Sequence, residues 1–375
     1  MKLLHLADLH IGKRIYGYSM LEEQRQILDQ VLWICQEQNP DIVLIAGDAY
    51  DKPVPGEEAV LLMDYFLTQL NRQKRKVVII SGNHDSGERL QFGKEIMEQK
   101  EIYIAGTFQG KLEQITVNDE WGEVIIYMLP FVKLSVMRKY GKFESLETAI
   151  QNFIQNTPIS LSKRNILVAH QFVVNGSWMP ECCDSEVTPV GGLDAIDCSV
   201  FEPFDYVALG HLHRAQKVGR ETIRYAGSPL KYSFSEAMHH KSAVLVNLYE
   251  KNKIEWDTIP LRPIHEMREI KGRIKDLTDP NHYERADRQD YIRAIVTDEQ
   301  ELYRPLDTLR HIYPNLLRLD FENARMQEQK KEIEEIQIEK KTDLELFEQF
   351  FQKQNQIEMT EKQRQYIQNY LSDKR

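Results

Sequence analysis

Carboxylates, imidazoles and one carboxamide recur at five places in the sequence, each directly after a short apolar run. They are Asp8-Leu9-His10, Gly47-Asp48 with Asp51 three residues on, Gly82-Asn83-His84-Asp85, His170, and Gly210-His211-Leu212-His213. Oxygen and imidazole donors without thiolates favour borderline first-row ions such as Mn, Fe or Zn over Ca or Mg. The mixture also fits two ions roughly 3.5–4 Å apart, with Asp48 as the natural bridging carboxylate. Water held between two cations ionises near neutral pH, and the same cations neutralise the oxygens of a phosphorus centre. The reaction class that follows is phosphoester hydrolysis.

Asp8 and His10 flank Leu9, and His211 and His213 flank Leu212, so each pair can project from one side of an extended backbone. Glycines 47, 82 and 210 let the backbone turn sharply beneath the ions. A lone histidine after a strand is more often a capping or packing residue, and that reading serves His5. It fails for a set of groups at five strand ends at once, where five of the eleven histidines fall. His239, His240, His265, His282 and His311 show no such placement.

The elements that position these groups follow from hydrophobic patterning. The first two thirds of the chain alternate apolar runs with amphipathic stretches, as strands and helices do around a mostly parallel or mixed sheet. Strands are expected near residues 3–7, 42–46, 77–81, 124–129, 166–169 and 206–209. Further strands fall near 224–226 and 242–248, and 253–260 closes the domain. One helix opens at Ser19, with Glu22 in the capping-box position, and a second follows Pro55. In a sheet of this class the carboxyl ends of the strands open onto one crevice, so donors far apart in sequence converge.

Beyond Leu261-Arg262-Pro263 the patterning changes to a small α+β unit, with a strand near 291–296, a helix near 300–312 and a last strand near 316–321. At about 60 residues its independent stability is marginal, which favours packing against the first domain. From Ala324 onward Gln, Glu and Lys dominate, without Gly or Pro through Arg375, a composition that favours helix. Apolar residues there, Leu344, Phe347, Phe350, Phe351, Tyr366 and Tyr370 among them, suit either helices packed on the body or a tethered helical pair that docks in a partner's groove.

The 375 residues are 42% hydrophobic and carry 48 Lys plus Arg against 58 Asp plus Glu, a net charge of −10. Whole-chain disorder is excluded, and so is a passive nucleic-acid binder relying on bulk positive charge. The four cysteines make no disulfide framework and no C-x-x-C pair, which points to a reducing compartment, and Cys182-Cys183 reads as ordinary loop. With no window of about 18 apolar residues, no membrane span is expected, and the cytoplasm is the expected location.

The ordered set D-x-H, G-D, G-N-H-D, a lone H and G-H-x-H resembles the signature of the calcineurin-like metallophosphoesterases. More closely, Ala7-Asp8-Leu9-His10, Ala46-Gly47-Asp48, Ser81-Gly82-Asn83-His84-Asp85, Ala208-Leu209-Gly210-His211-Leu212-His213 and the segment Tyr225 to Glu236 resemble the SbcD family of bacterial nuclease subunits, over nearly the whole chain. The implied fold is α/β (α+β): a metallophosphoesterase β-sandwich flanked by helices, a small α+β capping domain and a helical C-terminal tail. The implied divisions are 1–262, 263–323 and 324–375.

That resemblance implies one metal held by Asp8, His10, Asp48 and His213, and another by Asp48, Asn83, His170 and His211, with manganese expected. His84 would act on the transition state or leaving oxygen, with Asp85 orienting its ring. Archaeal relatives carry a second active-site histidine where this chain has Asp51, so Asp51 has no assigned role. The implied activity is a two-metal DNA exonuclease and endonuclease on ends and hairpins. Its partners would be DNA and an SbcC-type coiled-coil ATPase docked by the tail, in DNA repair and recombination, as a homodimer within a heterotetramer.

Arg262, Arg268, Lys271, Arg273 and Lys275 are the candidates for phosphate contacts, whereas Lys74, Arg75 and Lys76 read as solvated helix-end charge. Two alternatives remain: a phosphatase acting on protein or small-molecule phosphoesters, and an adaptor with a decayed centre. Protein phosphatases of the superfamily carry Arg soon after G-D and Glu after G-N-H, where this chain has Asp51-Lys52-Pro53 and Asp85. Decay would remove ligands, and none is missing.

Overall fold

The computed structural model describes residues 1–186, 194–284, 286–300 and 302–322, with 347, 351, 359–360, 362–365 and 367. The chain begins with β1 (Lys2–Leu6), α1 (Leu21–Gln38), β2 (Ile42–Ala46), α2 (Glu57–Arg72), β3 (Lys76–Ile80) and β4 (Ile102–Ala105). These four strands run parallel, each beside the next. There follow β5 (Glu113–Asp119), β6 (Gly122–Leu129), α3 (Leu146–Gln155), β7 (Arg164–His170), β8 (Tyr206–Gly210), β9 (Gln216–Val218) and β10 (Arg220–Tyr225). They form a second sheet ordered β9-β10-β8-β7-β6-β5. Then β11 (Ser242–Leu248) and β12 (Ile254–Pro260) return antiparallel to the open edge of β1, completing a first sheet ordered β12-β11-β1-β2-β3-β4.

The period of two in each strand explains the layering. Leu3, Ile42, Leu44, Val78 and Ile80 turn inward and meet Ile126, Ile166, Val168, Tyr206 and Ala208 of the second sheet. Their neighbours Leu4, Leu6, Val43, Ile45, Val77 and Ile79 face the other way, onto Ile27, Leu28 and Val31 of α1 and Leu62, Met63 and Phe66 of α2. On the far side Tyr127, Leu167, Val207 and Leu209 pack on Leu146, Ala149, Ile150 and Ile154 of α3. Helices therefore cover both outer faces of a β-sandwich, and strands buried on both sides read as continuous apolar runs. This is the expected mixed α/β architecture.

His5 sits fully buried between the sheets, where its Nε2–H donates to the Leu209 carbonyl (3.2 Å) and its Nδ1 accepts from the Tyr206 hydroxyl (3.0 Å). It is a packing residue with both nitrogens satisfied. Strands β4 and β5 went unread in the sequence. β4 is only four residues long, and β5 exposes alternate residues at a sheet edge. The first helix caps at Met20 in place of Ser19, because Tyr18–Ser19 is held in a short hairpin strand with Arg14–Ile15. The expected helix near 300–312 begins only at Pro305, whose fixed φ and missing N–H suit the first helical turn.

The last described unit is a three-stranded parallel sheet of β13 (Met267–Gly272), β14 (Tyr291–Val296) and β15 (Leu316–Phe321), with β14 central and α4 (Pro305–Ile312) packed beside it. Its own core is Ile270, Leu277, Ile292, Ala294, Val296, Leu309, Tyr313 and Leu316. The unit is fixed to the body through Glu23 of α1, whose carboxylate accepts from the Ile264 and His265 backbone N–H groups (2.7 and 3.1 Å) and from His265 Nδ1 (2.7 Å). Met267, Tyr291 and Leu317 join the apolar cluster beneath α1. The helical tail expected from residue 324 lies outside the described residues, apart from the few positions given above. Among the described residues no helix is long and apolar enough to cross a membrane.

Candidate metal centre

Five strand ends, those of β1, β2, β3, β7 and β8, deliver the donors to one place. The first loop is stitched to the second by backbone bonds from Asp8 N to the Gly47 carbonyl (3.1 Å) and from His10 N to the Asp48 carbonyl (2.9 Å). The expectation that Asp8 and His10 project from extended backbone is not met. Asp8, His10 and Asp48 have φ of 53°, 45° and 49°, and His211 has 109°. Such left-handed conformations in non-glycine residues cost energy and cluster at functional sites. The turns supply a convergence that a straight strand could not. Two glycines are demanded by close approach. A Cβ on Gly82 would stand 2.1 Å from the Asp48 carboxylate, and one on Gly210 would stand 1.9 Å from the Ala46 carbonyl.

The donors form two overlapping groups that share Asp48. In the first, the Nε2 atoms of His10 and His213 lie 3.1 Å apart, and Asp8 offers a carboxylate oxygen within 4.8 Å of both rings' donor atoms. Asp48 Oδ2 is 3.6 Å from His10 Nε2. In the second, Asp48 Oδ2 is 3.4 Å from His170 Nε2, and Asn83 Oδ1 is 3.0 Å from His170 Nε2 and 2.9 Å from His211 Nδ1. All of these residues except Asn83 are buried.

Hydrogen bonding on the far side of the rings fixes which nitrogen faces inward. His170 Nδ1–H donates to the Ala46 carbonyl (2.8 Å), which leaves Nε2 to face two oxygen acceptors. His213 Nδ1–H donates to Ser185 Oγ (2.9 Å) and Glu236 Oε1 (3.3 Å), which leaves Nε2 to face another imidazole nitrogen. Lone pairs gathered in this way fit divalent cations in both groups. The electrostatics agree. Burial lowers the pKa of His211 to about 3 and that of His10 well below its usual value. Burial alone would raise Asp48, but the imidazoles of His170 and His10 hold it well below the carboxylate range. Burial would likewise lower His170, but the Asp48 carboxylate overrides it and raises the ring to about 9. A cavity that holds a proton this firmly is built around a positive charge.

His84 stands beside the first group, its ring edge-on to His10 with centroids 4.7 Å apart. Its backbone N–H donates to Asp48 Oδ1 (2.8 Å), and its Nδ1–H donates to the Asp51 carbonyl (3.0 Å). Asp85 therefore does not orient the His84 ring as expected. Its carboxylate accepts instead from the backbone N–H groups of Gly82 (2.9 Å), Ala49 (3.1 Å) and Tyr50 (2.9 Å), tying the G-N-H-D loop to the G-D loop. Asp51, which had no assigned role, pairs with Lys13 at 2.7 Å.

The comparisons with known proteins agree with this geometry. The family model described as calcineurin-like phosphoesterase matches residues 1–215. The SbcD subunit of the nuclease SbcCD from Staphylococcus epidermidis is 31% identical over 382 aligned residues, covering 99% of this chain and 98% of that protein. The chain belongs to the calcineurin-like phosphoesterases, in their SbcD-like branch. A second family model, described as type 5 capsule protein repressor C-terminal domain, matches residues 263–355. Among solved structures, a dimetal phosphatase from Danio rerio aligns with 70% of this chain and 99% of its own, at 12% identity and a TM-score of 0.38. A protein of Thermus thermophilus aligns with 68% and 98%, at 11% identity and a TM-score of 0.39.

This SbcD-like phosphoesterase carries residues around the centre that sequence reasoning missed. Glu236 is fully buried and accepts from Ser185 Oγ (2.7 Å) and Lys241 Nζ (2.6 Å). Its place in the segment 225–236 was noted, but nothing in local spacing ties it to His213. The basic residues nominated beyond 261 divide. Arg268 is bound to Asp290 (2.6 Å) and Lys271 to Glu322 (2.8 Å), whereas Arg262, Arg273 and Lys275 are exposed. A groove of about 300 Å³ adjoining the centre is lined instead by Lys13, Arg14, Tyr16, Ser185, Arg293 and Arg318. Arg293 and Arg318 are register partners on β14 and β15, and Asp320 bridges them (2.5 and 3.0 Å). Cross-strand pairing of two arginines on one face was the signal available.

Proposed function

We propose that this chain is a DNA nuclease, cutting phosphodiester bonds as exonuclease and endonuclease at ends and hairpins, with two Mn ions in the centre. The observation that carries this is the pair of donor groups sharing Asp48. Asp8, His10, Asp48 and His213 would hold one ion, and Asp48, Asn83, His170 and His211 the other. When bound, two divalent cations neutralise phosphate oxygens and activate water. His84 keeps Nδ1 committed to the Asp51 carbonyl, so Nε2 is the atom that holds a proton for the leaving oxygen. Asp85 fixes the loop on which His84 rides.

The name of the Staphylococcus epidermidis relative supports the nuclease reading and, with it, work alongside an SbcC-type ATPase in DNA repair and recombination. On this reading residues 1–262 are the nuclease domain, 263–323 cap it and seat DNA, and 324–375 dock the ATPase. The assembly is a homodimer within a heterotetramer, in the cytoplasm. The groove bearing Arg14, Arg293 and Arg318 joins the nominated strip as a place for phosphates, which a net charge of −10 makes necessarily local.

The test compares Mn-dependent turnover of a duplex DNA with that of phosphomonoesters. Cleavage of DNA by the wild type, lost in Asp48→Asn, supports the proposal. Activity confined to monoesters overturns it in favour of a phosphatase, and absence of any turnover with both ions bound favours an adaptor.

A further inference from the structure

Two lysine–carboxylate–histidine relays flank the first donor group. On one side Lys241 Nζ lies 2.6 Å from Glu236 Oε2, and Glu236 Oε1 lies 3.3 Å from His213 Nδ1. On the other, Lys13 Nζ lies 2.7 Å from Asp51 Oδ1, and that same oxygen lies 3.8 Å from His10 Nδ1. The inner nitrogens of the two rings face each other. His10 Nδ1 is buried and has no hydrogen-bond partner among the described residues, so Asp51 is the acceptor placed for it. Nothing comparable backs the second group, where His170 leans on the neutral Ala46 carbonyl.

We infer that Asp51 and Glu236 are positioning residues for the ion held by Asp8, His10, Asp48 and His213, each aligning one ligand imidazole through its Nδ1. The inference rests on the two-metal reading above and assigns Asp51 its role. A carboxylate behind an imidazole fixes its tautomer and raises its basicity as a ligand. The lysine behind each carboxylate keeps that carboxylate ionised and limits its movement. Lys13 and Asp51 are largely buried, with side chains 14% and 12% exposed, so their pairing is only partly screened by solvent. Glu236 and Lys241 are buried outright, and their pair is closed by Ser228 and the His213 carbonyl.

A merely structural ion pair would shape the loops without distinguishing one ion from the other, so the test is site-selective. Free Mn is followed by electron paramagnetic resonance during titration of the full chain, with circular dichroism confirming the fold. Wild type is expected to bind two ions. Asp51→Asn should weaken one of them roughly 10- to 100-fold and leave the other within about twofold, and Asp51→Glu should recover most of the loss. Because Glu236→Gln would strand a buried lysine, the double variant Glu236→Gln/Lys241→Met is used on that side, and it should weaken the same ion.

Unchanged binding in Asp51→Asn, or equal weakening of both ions, overturns the inference. Binding is read without DNA, so the two ideas fail separately. Two ions bound without cleavage sink the nuclease reading, and unaltered affinity in Asp51→Asn sinks the relay.

Discussion

The Nε2 atoms of His10 and His213 lie 3.1 Å apart although the residues are 203 positions apart in the chain. His213 spends its Nδ1 proton on Ser185 and Glu236, so its inner nitrogen presents a lone pair. Two imidazole nitrogens aimed at one point in a buried site make sense around a cation, and each of the remaining donors reinforces that geometry.

Gly82→Ala tests how tightly the shared carboxylate is held. The new methyl would fall 2.1 Å from Asp48 Oδ1 and 2.4 Å from Asp48 N, so the side chain common to both donor groups must move. Overpacking of this kind typically costs about 1–3 kcal/mol. Urea denaturation should show that loss, and Mn titration should show both ions weakened together. Wild-type affinity in this variant would mean that Asp48 is not shared.

His84 and Asp85 are neighbours with separable roles. His84→Gln should lower turnover roughly 10²- to 10⁴-fold, the usual worth of a positioned proton donor, with Mn binding and stability kept. Asp85→Ala removes the acceptor for three backbone N–H groups and should cost at least about 1–3 kcal/mol of stability. Single-turnover kinetics beside urea denaturation distinguishes the two. A His84→Gln enzyme with wild-type turnover would remove His84 from the chemistry.

The donors and the sandwich were legible because both depend on local pattern: apolar runs of strand length, and chemistry-bearing residues at their ends. What escaped was set by tertiary context. Asp8 and His10 looked like an alternating pair on a strand, but hydrogen bonds to the Gly47 and Asp48 carbonyls turn them into left-handed backbone. Asp85 sits beside His84 in sequence, yet its carboxylate reaches back to a loop 35 residues earlier, at Tyr50. Glu236 and Lys241 had no local signature, because burial of a charged pair is visible only once the surrounding walls are in place. The basic strip was read from density of charge alone, and Asp290 and Glu322 neutralise part of it.

His5 gives the fold an acid-sensitive component. Burial, then the nearby Arg224 charge, lowers its pKa from 6.5 to about 3, against a smaller opposing effect of the Leu209 bond. Between those values the unfolded chain binds a proton that the folded chain does not. Stability from this residue is therefore complete above pH 6.5 and falls by up to about 1.4 kcal/mol per pH unit as the pH drops toward 3. His5→Gln can keep both hydrogen bonds without titrating. Urea midpoints at neutral pH and within that window should fall less steeply in the variant, and equal slopes would contradict the assignment.

Diffraction from crystals soaked in Mn, with anomalous differences collected at its absorption edge, tests the central claim most directly. Two peaks are expected, one touched by Asp8, His10 and His213 and the other by Asn83, His170 and His211, with Asp48 between them. A single peak, or peaks away from these side chains, would contradict a two-metal phosphodiesterase centre.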